Sequence, residues 1–426
     1  MKVAVVGSGG REHALVTALS QSPKCSAIVA MPGNGGMAGL AECVDIKAAD
    51  VAGIVAYCAQ NGVDYVVVAP EDPLALGLVD ALAEVGIPAF GPSAAAARIE
   101  ASKVFSKALM ENYGIPTAAH KSFTQMGPAM AYILQQGRWP VVVKADGLAT
   151  GKGVLICQNE AEAENALKAL FEERRFGAAG ASVVVEEFLT GPEVSVLAFC
   201  DGEAVVPMLS SMDHKRIYDG DKGPNTGGMG AIAPNPFYTP QMAARCMEEI
   251  FLPTMRALAA ESAPFKGCLY FGLMLCADGP KVIEYNCRFG DPETQVVLPL
   301  LESDLLEIML ACTEGRLTPG MVRFAPGAAA CVVIASGGYP GAVQVGFPIK
   351  GLAAAEGIPG VHVYHAGTRQ SGGQVLTAGG RVLGVAAGAP TLQEALALAY
   401  QGVAEITFEG AQYRTDIGKV ALEAMQ

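Results

Sequence analysis

The chain has 426 residues, 51% of them hydrophobic, with 51 glycines and 26 prolines. That is enough for two or three domains around a large core, and the composition excludes a disordered or fibrous protein. A formal net charge of −13 excludes a nucleic-acid surface but not small anionic ligands, whose pocket needs only a few local Lys, Arg and N–H groups.

The longest charge-free run, Phe324 to Ile349, is broken by Pro326, Pro340, Pro348 and many glycines. A membrane helix of roughly 20 residues is not built that way. Eleven cysteines are scattered without a C-x-x-C pair, so reduced thiols, a cytoplasmic location and no structural zinc are expected. The chain opens directly on a strand-like segment with no cleavage-type signal.

In chain order, Lys2–Val6 predicts a buried strand, then Gly7-Ser-Gly-Gly10 and a helix over Arg11–Ser20. Strand-like runs recur at Ala27–Ala30 and Tyr65–Ala69 with helical stretches between them, which implies a parallel sheet. The glycine loop matches two thirds of a dinucleotide fingerprint, but Glu12 takes the third glycine position, where it would crowd and repel a pyrophosphate. A nicotinamide dehydrogenase is therefore disfavoured. Gly9, Gly10, Arg11 and Glu12 at a helix start suit a single sugar phosphate, or they form a tight strand–helix turn and nothing more. A helix is predicted from Ser102 to about Tyr113, ended by Gly114 and Pro116.

A second unit begins with the strand Val141–Lys144, and Val154–Cys157 returns from the loop between them. Three residues separate Gly147 from Gly151, and Gly153 stands where a P-loop needs Ser or Thr. Lying between strands, the loop reads as a flap whose N–H groups close over phosphates, with Lys144 aimed at them; the plainer alternative is an ordinary glycine hairpin. A helix is expected over Glu160–Phe171, then strands Val183–Glu186 and Glu193–Cys200. Glu186, Glu187, Phe188 and Leu189 form either a solvated strand edge or a hinge whose backbone reads adenine, with Glu193 on ribose hydroxyls.

The segment from Asp213 to Gly230 has little hydrophobic pattern, and so long a loop is usually functional or disordered. Asn225, Thr226, Gly227 and Gly228 suit backbone donors for a carboxylate. His214 has no second histidine at ligand spacing. A long helix is predicted over Gln241–Glu261, strands at Tyr270–Cys276 and Lys281–Cys287, and helices at Glu293–Leu301 and Ser303–Cys312. Beyond Pro326 the alternating Gly/Val pattern predicts a smaller, mainly β domain ending in one or two helices.

The most informative stretch is Val282-Ile-Glu-Tyr-Asn-Cys-Arg-Phe-Gly-Asp-Pro-Glu293. Strand alternation puts Glu284, Asn286 and Arg288 on one face, with Tyr285, Cys287 and Phe289 on the other. A carboxylate, an amide oxygen and a guanidinium in line suit a hard cation with its phosphate. A strand-end ion pair between Glu284 and Arg288 is the plainer reading. Asp291 and Glu293, on the turn directly after the strand, favour a metal–nucleotide site.

Together "GSGGREHAL", "GPSAAAARIEASK", "KADGLATGKGV", "EEFLTGPEVS", "DHKRIYDGDKGPNTGGMGA" and "VIEYNCRFGDPETQ" resemble the phosphoribosylamine–glycine ligase (glycinamide ribonucleotide synthetase) family of the ATP-grasp superfamily, across essentially the whole chain. The resemblance implies an α/β protein in three parts. These are an N-terminal parallel-sheet domain over 1–101, an ATP-grasp domain over 102–322 with a mobile lid at about 121–190, and a small β-rich domain over 323–426. It implies an ADP-forming ligase of purine biosynthesis using ATP, glycine, 5-phosphoribosylamine and Mg²⁺ or Mn²⁺, acting as a monomer. Another ATP-grasp carboxylate–amine ligase or a carboxylase is the nearest rival, and a noncatalytic nucleotide-binding regulator a further one.

By the same resemblance, Glu284 and Asn286 match metal ligands and Arg288 a phosphate-stabilising arginine. Lys103, Lys144, the 147–153 flap, Glu186 to Leu189 and Glu193 match ATP-binding positions. Where many relatives carry another metal-binding acid, this chain reads Gly272-Leu-Met-Leu275. Catalysis is expected from Lys144, Arg288 and Asp291, the last orienting the attacking amine beside Pro292. The substrate phosphate is assigned to Gly9–Glu12 with help from Arg381, and its ribose to Glu71, which follows a strand where open sheets place ligand contacts. Asp213 and Asn225–Gly228 complete the predicted substrate site.

Overall fold

The computed structural model describes residues 1–148, 153–173 and 181–426. The N-terminal sheet is fully parallel, in the order Glu42–Cys43, Ala27–Pro32, Lys2–Gly7, Tyr65–Val68, Ala89–Phe90. Its central strands are continuous apolar runs because both faces are covered; Val3 to Val6 are fully buried. The strand order reverses between Lys2–Gly7 and Tyr65–Val68. Open sheets bind ligands outside the carboxyl ends at such a point, and Gly9–Arg11 and Glu71 follow those two strands.

A second, four-stranded antiparallel sheet runs in the order His120–Phe123, Val183–Glu187, Val141–Ala145, Val154–Cys157. Helices Met126–Gln136 and Glu160–Phe171 cover it, with a core of its own that includes Ile133, Val143, Leu167 and Val185. Asn159 starts the second of these helices by accepting the Glu162 N–H at 3.0 Å.

The third sheet has eight antiparallel strands: Gly279–Asn286, Lys266–Cys276, Glu193–Asp201, Val205–Asp213, Gly230–Ala233, Ala328–Ala335, Arg381–Ala389 and Val361–His365. It therefore passes unbroken into the β-rich C-terminal region, where helix Leu392–Glu405 packs against it. In the first of these strands Tyr285 is buried in the core, as are Cys287 and Phe289 just beyond it, leaving Glu284, Asn286 and Arg288 to the other side.

Three expectations need correction. The helix predicted over Gln241–Glu261 spans Pro240 to Ala260 but widens into a π turn at Met247–Phe251. Pro253, just beyond, has no N–H and its ring would clash with an α-helical carbonyl. The helix predicted over Glu293–Leu301 is one α turn, Thr294–Val297, tightening to 3₁₀ over Leu298–Leu300, because Pro299 again supplies no donor. The predicted loop between Asp213 and Gly230 contains a hairpin, Arg216–Tyr218 with Lys222–Asn225.

Candidate active site

The three sheets meet around a cavity of about 390 Å³. Its walls come from sequence-distant parts of the chain: Arg11 and Glu71, Lys103, Gly147, Leu148 and Gly153, Glu186 to Leu189, Asn225 to Gly227, Glu284 to Asn286 with Arg288, and Arg381. Gly147 and Gly153 lie on this wall; Gly151 lies outside the described residues.

One end is a lysine cluster. Ser102 caps helix Lys103–Asn112 by accepting the Phe105 N–H at 3.1 Å, which fixes the helix beside the small sheet. Lys107 and Lys144 both lie 3.0 Å from Glu186 Oε2. Burial works against the Glu186 carboxylate, but the two lysines outweigh it and hold its pKa below the usual range. Its other oxygen is buried without a partner among the described residues. Lys103 donates to the Gly147 carbonyl at 2.9 Å, and burial lowers its pKa. Glu187 turns its carboxylate to the Ala119 N–H at 3.0 Å. Glu193 pairs with Lys215 at 3.0 Å.

Beside the lysines stand Glu284 and Asn286. Burial disfavours the Glu284 carboxylate, yet Lys215, Lys144, Lys103 and Arg288 outweigh it and keep it below its ordinary pKa. An ionised carboxylate next to an amide oxygen is a hard-donor pair that fits a divalent cation. Among the described residues no group of three or more His, Cys, Asp or Glu could hold a metal ion. Arg288 does not pair with Glu284. Its Nε donates to Glu71 at 3.1 Å and its Nη2 to Glu100 at 2.9 Å. Burial raises the Glu71 pKa, but Arg288 and Arg11 bring it down to about 2.

The opposite end is built around Asp291. Arg381 lies 3.2 Å from its carboxylate and donates to the carbonyls of Asp291 (2.7 Å) and Gly227 (2.6 Å), so one guanidinium ties the glycine loop to the turn after strand Gly279–Asn286. Gln295 donates to the other Asp291 oxygen at 2.7 Å. Thr226 accepts the Gly228 N–H at 3.0 Å. Gly228 has φ +112°, and a Cβ there would meet Pro292 at 2.5 Å and Asp213 at 2.7 Å; only glycine fits. Asp213 Oδ1 is buried without a partner among the described residues. Burial first, then Glu293, pushes its pKa well up.

The N-terminal loop differs in detail from a bare phosphate cradle. Glu12 folds back to accept the Gly9 N–H at 2.6 Å and the Arg11 Nε–H at 2.8 Å, a capping arrangement. Arg11 lines the cavity, while Gly9, Gly10 and Glu12 do not. His214 is structural, its Nε2 accepting the Gly418 N–H at 3.1 Å.

Sequence reasoning missed Lys107, Glu100 and Lys215. Lys107 had a readable signal, since it sits four residues after Lys103 on one helix face. Glu100 and Lys215 meet partners far away in the chain, and no local pattern announces that.

Comparison with known proteins matches three family models in order: phosphoribosylglycinamide synthetase N domain over residues 1–100, its ATP-grasp (A) domain over 101–294 and its C domain over 329–420. A phosphoribosylamine–glycine ligase of Vibrio vulnificus (strain YJ016) is 48% identical over 429 residues, covering 100% of both chains. One from Synechocystis is 50% identical over 426 residues, covering 99% of this chain and 100% of the relative. The crystal structure of the Thermotoga maritima phosphoribosylamine–glycine ligase superposes with TM-score 0.85 at 32% identity, covering 98% of this chain and 100% of that one. The biotin carboxylase domain of Hydrogenobacter thermophilus 2-oxoglutarate carboxylase shares the fold alone, at TM-score 0.74 and 17% identity over 97% of this chain and 91% of that one.

Proposed function

Because the chain belongs to the phosphoribosylglycinamide synthetase family, we propose that the cavity joins glycine to 5-phosphoribosylamine, with ATP converted to ADP and phosphate through glycyl phosphate. The observation that carries the reading is the convergence, in one cavity, of the lysine cluster, the Glu284–Asn286 pair and the clamped glycine loop. A carboxylate, a triphosphate and an amine can meet there without leaving it.

The physical problem is to bring two anions together. Lys103 and Lys144 hold ATP phosphates, while the backbone of Glu186 to Leu189 holds adenine and Glu193 the ribose hydroxyls. Covering the phosphates and keeping water from the acyl phosphate is assigned to the 147–153 loop, of which residues 149–152 lie outside the described residues. Glu284 and Asn286 hold the divalent cation, Mg²⁺ or Mn²⁺, which when bound neutralises phosphate charge. Arg288 stabilises the transferring phosphoryl group; its present partners, Glu71 and Glu100, hold it at the cavity wall. Asn225, Thr226 and Gly227 line the end given to the glycine carboxylate, with Asp213 beside them; the loop is not the free set of donors expected, since the Thr226, Gly227 and Gly228 N–H groups already go to the Lys215 carbonyl, the Tyr339 hydroxyl and the Thr226 hydroxyl. Asp291 orients the attacking amine, with Arg11 and Glu71 toward its phosphate and ribose. Arg381 places that end by clamping Gly227 to Asp291.

All eleven cysteines are free, which supports a cytoplasmic setting. Among the described residues no helix is long and apolar enough to cross a membrane.

Purified protein given ¹⁸O-carboxyl glycine, ATP and 5-phosphoribosylamine should release ADP and phosphate carrying one label. Unlabelled phosphate, or stoichiometric AMP, rules the acyl-phosphate route out.

A further inference from the structure

Glu100 stands at the end of helix Ala94–Ala101, with its side chain only 8% exposed. Its carboxylate addresses three consecutive residues of the segment that ends the metal strand. One oxygen accepts from Arg288 Nη2 at 2.9 Å. The other accepts the Cys287 N–H at 2.7 Å. The side-chain amide of Asn286 satisfies both its ends only when its nitrogen faces Glu100 Oε1, at 2.9 Å, and the Tyr285 carbonyl, at 3.3 Å. The opposite orientation would set the amide oxygen against two acceptors.

An amide has two unlike ends, so fixing one assigns the other. With its nitrogen held by Glu100, Asn286 presents oxygen on its other side, toward the cavity it lines with Glu284. We propose that Glu100 is a positioning residue: it holds the Asn286 amide oxygen-first toward the cation and keeps Arg288 beside it. The inference rests on the assignment of Glu284 and Asn286 to the cation. A carboxylate is required for this, because a glutamine has one acceptor oxygen and cannot take three donors.

The test uses full-length protein saturated with a non-hydrolysable ATP analogue, titrated with Mn²⁺ and followed by water-proton relaxation. Glu100→Gln should weaken Mn²⁺ binding by about 10- to 100-fold, the range for losing a group that orients a ligand. In an Asn286→Asp background, where either oxygen serves, adding Glu100→Gln should change affinity by less than about threefold. A role confined to packing would lower affinity equally in both backgrounds. If Glu100→Gln does not fold, Glu100→Asp, which keeps the charge but falls short by one methylene, should show the same asymmetry more weakly. Wild-type affinity in Glu100→Gln, with affinity lost in Glu284→Ala, overturns the proposal and leaves the metal site standing. Wild-type affinity in Glu284→Ala overturns the metal assignment and the proposal with it.

Discussion

Replacing Arg381 with alanine removes three contacts at once: the Asp291 carboxylate at 3.2 Å, the Asp291 carbonyl at 2.7 Å and the Gly227 carbonyl at 2.6 Å. Breaking a buried ion pair costs about 3–5 kcal/mol. Here the side chains of Arg381 and Asp291 are 21% and 15% exposed, and Asp291 keeps Gln295, so about 2–3 kcal/mol is the better figure. Falling on the assembled substrate site, that is about a 30- to 150-fold loss in kcat/KM. The loss should appear mainly as a raised KM for 5-phosphoribosylamine, because the partners of Arg381, Gly227 and Asp291, belong to the end assigned to that substrate and not to the lysine cluster assigned to ATP. Arg381→Lys should recover little, since one ammonium cannot reproduce the fork. Initial rates by coupled ADP detection, varying each substrate in turn, decide the matter. Equal effects on the KM for ATP and for phosphoribosylamine would show that Arg381 does not organise this end of the cavity.

Glu284→Ala should abolish turnover in a protein that still folds, because the carboxylate assigned to the cation is removed and not a core side chain, whereas Asn286→Asp should retain partial activity with a shifted metal preference; wild-type-like turnover by Glu284→Ala is the refuting result. Gly228→Ala should cost about 1–3 kcal/mol of stability through strain and overlap and raise the KM for glycine, checked by denaturant unfolding and kinetics. Burial lowers the pKa of His214 and of His365 from 6.5 to about 4, so both are neutral in the fold and bind protons more readily once unfolded. Their stabilisation is complete above pH 6.5 and is lost as pH falls toward 4, by up to about 3 kcal/mol each. Urea unfolding of His365→Gln across that range should show a shallower pH slope than wild type, and an unchanged slope would refute the assignment.

The regular elements were legible because each has a local cause. Buried strands such as Val3–Val6 are written as unbroken apolar runs, with Val141–Val143 a shorter one that ends at Lys144, and Asn159 and Ser102 mark their helices by chemistry that acts within three residues. The misjudged elements also have local causes, given too little weight. Pro253 and Pro299 sit inside apolar stretches that keep a helical period, and one missing N–H is enough to change the winding. The continuity of the large sheet was not legible. Gly230–Ala233 pairs with Ala328–Ala335 nearly a hundred positions away, and alternation says that a strand exists without naming its neighbour.

The candidate site divides along the same line. Glu284, Asn286 and Arg288 could be placed on one face because strand geometry decides it within five residues. What each side chain touches could not be read, because the partners are contributed by other elements. Arg288 reads as a phosphate ligand or as the mate of Glu284, yet it bonds Glu71 and Glu100, separated from it by 217 and 188 positions. Glu12 illustrates the converse. Its presence argued against a dinucleotide, and it closes on Gly9 through a bond three residues long, which leaves Arg11 as the member of that loop facing the cavity. A motif thus locates the groups that chemistry needs, whereas their charge state and orientation are set by residues such as Glu100 and Lys215, which sit inside the same motifs without any local sign of the partners they meet. Substitutions at those two positions should therefore separate what the metal strand supplies from what the surrounding fold imposes on it.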